Sequence, residues 1–160
     1  MAKNTIKLKK YSDVIEEYIA ASAITPGHLV NLASTGKVQV HNSSEGPVLP
    51  MFALEDELQG KEISEAYAAD DPVQVWIPGR GDEVYALLKD GENVAVGDFV
   101  ESAGDGTLQK YDENEDLDVS SSGILVHQHT IVGMVVEAVD LSSSSGTYPS
   151  TGFRVKVKII

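Results

Sequence analysis

The sequence predicts an all-β protein: a single barrel-like domain built from a pseudo-duplicated hairpin unit, preceded by an extended or partly helical N-terminal arm. Three observations carry this. Short runs of alternating apolar and polar residues are separated by Gly, Pro, Asn and Asp, the punctuation of strands and turns. Glycine accounts for 14 of 160 residues. And one stretch occurs twice: Ile24-Thr-Pro-Gly27-His28-Leu-Val and its continuation to His41 align without a gap on Val94-Ala-Val-Gly97-Asp98-Phe-Val and its continuation to Tyr111, seventy residues later.

In each copy a glycine follows a short apolar entry, an apolar run comes next, a small-polar-Gly cluster reverses the chain, and an alternating segment returns. That is a β-hairpin. Gly36 and Gly106 mark its tip, where positive φ is free of steric cost only for glycine. The likeness continues at an offset of 82: residues 49–55 lie opposite 131–137, and 73–77 opposite 155–159. The change of offset requires an insertion in the second half, near residues 112–123. Two copies are too few for a solenoid, so one shared closed core is expected. The alternative, that hairpins of similar length merely look alike, stays open at this stage. The resulting division is an arm at 1–23, a domain at 24–160 with pseudo-repeats 24–78 and 94–160, and a linking hairpin at 79–93. Leu29, Val30, Val75, Ile77, Phe99, Val100, Val135 and Val157 are the expected core.

Within that frame the elements read in order. Lys3 to Lys10 alternates charge with Ile6 and Leu8, as an extended arm or edge strand does. Residues 11–22 fit either a short helix, with Val14, Ile15, Tyr18 and Ile19 on one face, or a strand. Glu55 to Gly60 is a polar loop, and residues 63–69 have some helical character. Strand 73–77, the turn at residues 78–82 and strand 83–88 suggest an antiparallel hairpin, followed by a tight turn at Asp90-Gly91. Residues 112–123, rich in acids and ending in a serine triplet, and residues 142–152, rich in serine, read as exposed loops. The closing strand follows at 153–160.

Charge separates the ends from the body. The net charge is −13, yet the first ten residues hold four lysines and no acid, and the last seven hold Arg154, Lys156 and Lys158. The residues between carry five positive and 25 negative side chains. Direct nucleic-acid binding by such a body is disfavoured, because a phosphate backbone would be repelled. No stretch of eighteen apolar residues suggests a membrane span, and no signal-peptide pattern follows the basic start, so the product is expected to stay where it is made. The absence of cysteine excludes disulfide and thiol chemistry.

Catalytic and metal motifs fare poorly. Asp112, Asn114 and Asp116 have the early spacing of a calcium loop, but Leu117 stands where its glycine belongs and Gly123 where its bidentate glutamate belongs. His127 and His129 share a strand face without a third ligand nearby, and His28 and His41 fall at repeat positions. Arg80-Gly81-Asp82 reads as a turn. No nucleophile elbow, phosphate loop or dinucleotide fingerprint is present. Neither an enzyme nor a cofactor is therefore expected.

The combination of Ile24-Thr-Pro-Gly-His-Leu-Val-Asn-Leu32, Phe52-Ala-Leu-Glu-Asp-Glu-Leu-Gln-Gly60, Asp71-Pro-Val-Gln-Val-Trp-Ile-Pro78, Val96-Gly-Asp-Phe-Val-Glu-Ser-Ala-Gly-Asp-Gly-Thr-Leu108 and Ile131-Val-Gly-Met-Val-Val-Glu-Ala-Val-Asp140 resembles the head decoration, or capsid cement, proteins of tailed bacteriophages, and more remotely the smaller lambda-type decoration proteins. The resemblance implies a barrel-like virion structural protein, made in the host cytoplasm. It would assemble as a homotrimer on the outer capsid surface and stabilise contacts between major capsid proteins. The arm, through Lys3, Ile6, Lys7, Leu8, Lys9, Lys10 and Tyr11, is the expected capsid-binding segment. A carbohydrate-binding β-domain on a particle surface is the alternative, and it would want clustered exposed aromatics, with Trp76 expected inside or at a subunit contact.

Overall fold

A computed structural model describes residues 4–10, 14–112, 117–120, 123–126, 130–144 and 153–160. The first half contains β2 (Ile15–Ile19), β3 (Val30–Leu32), β4 (Val38–Val40), β5 (Phe52–Ala53) and β6 (Pro72–Trp76). The second contains β7 (Glu83–Leu87), β8 (Asn93–Val94), β9 (Phe99–Ser102), β10 (Leu108–Lys110), β13 (Gly133–Val135), β14 (Val139–Asp140) and β15 (Arg154–Ile159). β1 (Lys7–Lys9) precedes both, and β11 (Leu117–Ser120) pairs with β12 (Gly123–Val126) as a hairpin inserted into the second half. The described residues are all-β, as expected, apart from a single 3₁₀ turn at Glu57–Gln59. Every sheet pairing is antiparallel, and the sheets stay open rather than closing into a barrel.

The duplication is reproduced bond by bond. β9 pairs with β10 as β3 pairs with β4, at the offset of seventy. β5 meets β6 through Phe52↔Trp76 and Ala53↔Val75, and β13 meets β15 through Met134↔Lys158 and Val135↔Val157, at the offset of 82. Gly27 N–H donates to Ala53 O at 2.8 Å, and Gly97 N–H to Val135 O at 2.9 Å. Ala33 N–H reaches Lys37 O at 2.9 Å, and Ala103 N–H reaches Thr107 O at 3.0 Å. Both entry glycines have positive φ, 89° and 96°, as do both tip glycines, 79° and 80°. The match goes beyond a likeness of two hairpins, since the Gly27–Ala53 and Gly97–Val135 bonds and the pairings of β5 with β6 and β13 with β15 join segments that are distant in sequence.

The repeat also begins earlier than the sequence comparison carried it. β2 lies on β6 with Ile15↔Trp76 and Tyr18↔Val73, and β7 lies on β15 with Glu83↔Lys158 and Ala86↔Val155. Residues 15–19 are thus the counterpart of 83–87 at an offset of 68. In the first half the order is β2-β6-β5, then β3-β4 joined through the Leu29↔Phe52 bridge; in the second it is β7-β15-β13-β9-β10. Within each half the last strand touches the first only through one parallel bridge, Ala20↔Val38 or Leu88↔Leu108, so neither half completes a barrel.

Several expectations change accordingly. Residues 73–77 and 83–88 do not form a hairpin, because β6 and β7 belong to the two different halves. The turn between them, capped by Asp82 accepting from Gly79 N–H at 2.8 Å, carries the chain across. The helical option for residues 11–22 gives way to β2, whose β-branched residues suit a pleated edge. Residues 63–69 form turns around a bridge between Tyr67 and Ile24. The expected loop at 112–123 includes β11, where Leu117 and Val119 alternate with polar residues.

Two clusters of buried side chains follow the halves. Val30, Val38, Val73 and Val75 line the first, and their counterparts Val100, Leu108, Val155 and Val157 belong to the second, which is larger because it also takes in Leu29, Phe52, Leu54 and Trp76. Of the residues expected in one core, Leu29, Val30, Val75, Val100, Val135 and Val157 are fully buried, in two clusters rather than one, and Ile77 is partly buried. Phe99 is 42% exposed and is not a core residue. It faces away from Val100, because neighbours on a strand point to opposite sides, and its side of the sheet is only partly covered by the described residues of the second half.

Paired residues share a face, so Leu29, Phe52 and Trp76 form one lateral row in the first half, and Phe99, Met134 and Lys158 form the same row in the second. The first row is wholly buried; the second is not. Truncating equivalent positions should therefore give unequal results. Leu29→Ala should cost about 2–5 kcal/mol and Phe99→Ala about 1 kcal/mol or less, measured as unfolding free energies in denaturant.

Candidate functional site

The joint between the halves is built from buried polar groups. Arg154, 3% exposed, donates from Nη1 to Pro26 O at 2.7 Å and from Nη2 to Ile63 O at 2.6 Å. Its counterpart in the first half is the exposed Pro72, so only one half carries this clamp. Burial lowers the guanidinium pKa to about 10, which leaves it charged at neutral pH. A Cβ on Gly27 would collide with that guanidinium, so glycine is required there both for its φ and for the space. Leu87 N–H donates to Gly27 O at 3.1 Å and Leu29 N–H to Gly106 O at 2.8 Å, extending the joint through the main chain.

The arm closes the same joint. β1 lies on the outer edge of β7, with Lys7↔Val84 and Lys9↔Glu83, and Tyr85 N–H donates to Ile6 O at 2.8 Å. Ile6 is fully buried. Its N–H donates to Glu55 at 3.1 Å, and the Thr5 hydroxyl donates to the same carboxylate at 2.5 Å. Glu55 is itself 3% exposed, whereas its counterpart Glu137 is exposed. Ile6 therefore belongs to the interior and not to a binding face. The buried donors around Glu55 satisfy a charge that would be costly if left unpaired. Of the other residues assigned to capsid binding, Lys9 and Lys10 are exposed, Lys7 and Leu8 are partly exposed, and Lys3 and Tyr11 lie outside the described residues.

The two histidines among the described residues are structural. His28 Nδ1 accepts from Thr25 N–H at 3.1 Å, the role that Asp98 plays for Ala95 N–H at 2.9 Å in the other half. His41 Nε2 faces Pro47 O at 3.3 Å, a carbonyl that only accepts, so Nδ1 accepts from the Ser102 hydroxyl at 2.6 Å. His127 and His129 lie outside the described residues, as do Asn114 and Asp116 of the acidic stretch. Among the described residues no group of His, Cys, Asp or Glu is arranged to hold a metal. The Arg80-Gly81-Asp82 tripeptide is not displayed, since Asp82 is fully buried.

The exposed row of the second half borders a cleft of about 680 Å³ lined by Glu92, Asp98, Phe99, Lys110, Tyr111 and Ile131. Lys110 pairs with Asp98 at 2.8 Å and holds that carboxyl below its ordinary range. Sequence reasoning missed this cleft because it placed Phe99 inside. The signal was present: Leu29 and Phe99 align, but Phe52 and Trp76 align with Met134 and Lys158, so the second row is less apolar.

No protein-family model and no curated protein matches the chain. Among solved structures, the N base of the head fiber gp8.5 of bacteriophage phi29 shares the fold, with a TM-score of 0.50 and 16% identity, over 92% of this chain and 93% of that one. That protein belongs to a phage head, as do the decoration proteins whose motifs the sequence resembles.

Burial of His28 lowers its pKa from 6.5 to about 4; nearby Asp105 opposes the shift and Arg154 adds to it. The neutral ring is the folded form. Its stabilisation is complete above pH 6.5 and is lost as pH falls towards 4, an acid-side loss of about 3 kcal/mol. His28→Asn keeps an acceptor for Thr25 N–H but does not titrate. Denaturant midpoints between pH 7 and 4 should fall less steeply in the variant than in the parent.

Proposed function

We propose that this chain is a non-enzymatic structural protein of a bacteriophage virion that binds the outer surface of the capsid. It acts as a homotrimer and stabilises contacts between major capsid proteins. The observation carrying the reading is the fold shared with a phage head protein over more than nine-tenths of both chains, together with the decoration-protein motifs of the sequence. The interior supports it: Arg154 and His41 bond across the two halves, Glu55 holds the arm, and His28 caps a turn of the first half. Among the described residues no helix is long and apolar enough to cross a membrane. Lys9 and Lys10 present positive charge beside a strongly acidic body, which suits an acidic patch on the shell.

Deleting the arm would not test this, because it would remove β2 and Ile6 from the fold. Charge reversal does. The purified protein should co-sediment with heads that lack it, reach saturation in multiples of three copies, and weigh as a trimer by light scattering. Lys9→Glu with Lys10→Glu should weaken head binding about tenfold or more and flatten its salt dependence. Absence of co-sedimentation at low salt would contradict the reading.

The cleft beside Phe99 favours a second reading, a carbohydrate-binding face on the particle surface. An exposed ring next to Tyr111, with Asp98 and Glu92 as hydroxyl acceptors, offers stacking and hydrogen bonds to a sugar. Binding on a glycan array that is lost in Phe99→Ala would support it.

A further inference from the structure

The internal duplication exposes a vacancy that neither half alone reveals. In the second half the outer edge of β7 is covered by β1, a strand in which lysine alternates with Leu8 and which follows the buried Ile6. The counterpart of β7 in the first half is β2, which ends its sheet and carries no strand on its outer edge among the described residues. Because β2 meets β6 in the register in which β7 meets β15, Glu17 is the counterpart of Tyr85, whose N–H points outward to Ile6 O. The Glu17 main chain is therefore aimed at the edge that carries no strand among the described residues.

The side chains there match a particular kind of occupant. Val14, Ile15 and Ile19 are 47%, 37% and 43% exposed, three apolar side chains in solvent within six residues, and Glu16 and Glu17 between them are exposed acids. Ile15 also continues the buried row of Leu29, Phe52 and Trp76, since it pairs with Trp76. The apolar stripe thus runs out to the edge and stops in solvent. Its counterpart stripe ends instead on Glu83, which pairs with Lys158 at 3.3 Å and lies beside Lys9 of β1.

We infer that the outer edge of β2 is a strand-addition site for an extended segment of another protein, one in which apolar residues alternate with lysine or arginine. Main-chain bonds to β2 supply affinity, the apolar residues cover Ile15 and Ile19 on one face, and the basic residues meet Glu16 on the other. A second copy docking through its own β2 fits less well, because it would set Glu16 and Glu17 against their equals. The inference is independent of the capsid reading, and its test needs no phage head.

The probe is a synthetic peptide with the sequence of residues 4–10, Asn-Thr-Ile-Lys-Leu-Lys-Lys, titrated into the isotopically labelled full chain and followed by backbone amide shifts. The expected shifts map to residues 14–19, and affinity falls as salt rises. The same peptide with glutamate in place of lysine should not bind. Glu17→Pro removes the outward donor at an edge position where proline is tolerated; it should weaken binding about tenfold or more while leaving the melting temperature close to the parent's. Should that variant unfold, Glu16→Lys with Glu17→Lys keeps the main chain and should reverse the preference between the two peptides. Shifts confined to β7, no shifts at all, or unchanged binding in both variants would overturn the inference. Self-association that is lost in Glu17→Pro, without peptide binding, would assign the edge to a second copy.

Discussion

The structure depends on one requirement: the outer face of the first half must be covered. Leu29, Phe52 and Trp76 form an apolar row that would face water if the half stood alone, and burying side chains of this size stabilises by roughly 1.5–3 kcal/mol each. The second half supplies the cover. Arg154 then fixes the contact by donating to two carbonyls of the first half, and Glu55 fixes the arm by accepting from Thr5 and Ile6. These polar groups sit where main-chain carbonyls and amides would otherwise be buried without partners. They set the register of the joint, and the apolar row supplies its energy.

Two copies of one unit have thereby become unequal. At matching positions the halves hold Leu29 and Phe99, Trp76 and Lys158, Glu55 and Glu137, His28 and Asp98, Pro72 and Arg154. In each pair one member is suited to the joint and the other to water or to a different neighbour. The turn that His28 caps shows the logic: both halves need an acceptor for a backbone N–H, but only at the joint must that acceptor be uncharged. The leftover surfaces, the Phe99 row and the β2 edge, lack among the described residues the cover that their counterparts have.

Much of this was legible in the sequence, because turns and inward-facing positions leave local marks. Gly27 and Gly97, Gly36 and Gly106, and the valines at offsets of seventy and 82 locate hairpins and registers directly. What could not be read was which of two equivalent faces is covered. Phe99 and Leu29 look alike locally, and only the joint distinguishes them. The hairpin expected across residues 73–88 failed for a related reason: adjacent strands with a good turn between them usually pair, but here the turn spans the boundary between repeats. The arm's Ile6 was visible as apolar, yet its destination depends on Glu55, forty-nine residues away.

The central claim is that the two halves form one cooperative body through this joint, rather than two tethered domains. Native-state hydrogen exchange at increasing denaturant tests it most directly. The account predicts that the amides of Val75 in β6 and Val157 in β15 open with one common free energy, equal to that of global unfolding. A first half whose amides exchange through a separate opening of lower free energy, while β15 remains protected, would contradict it.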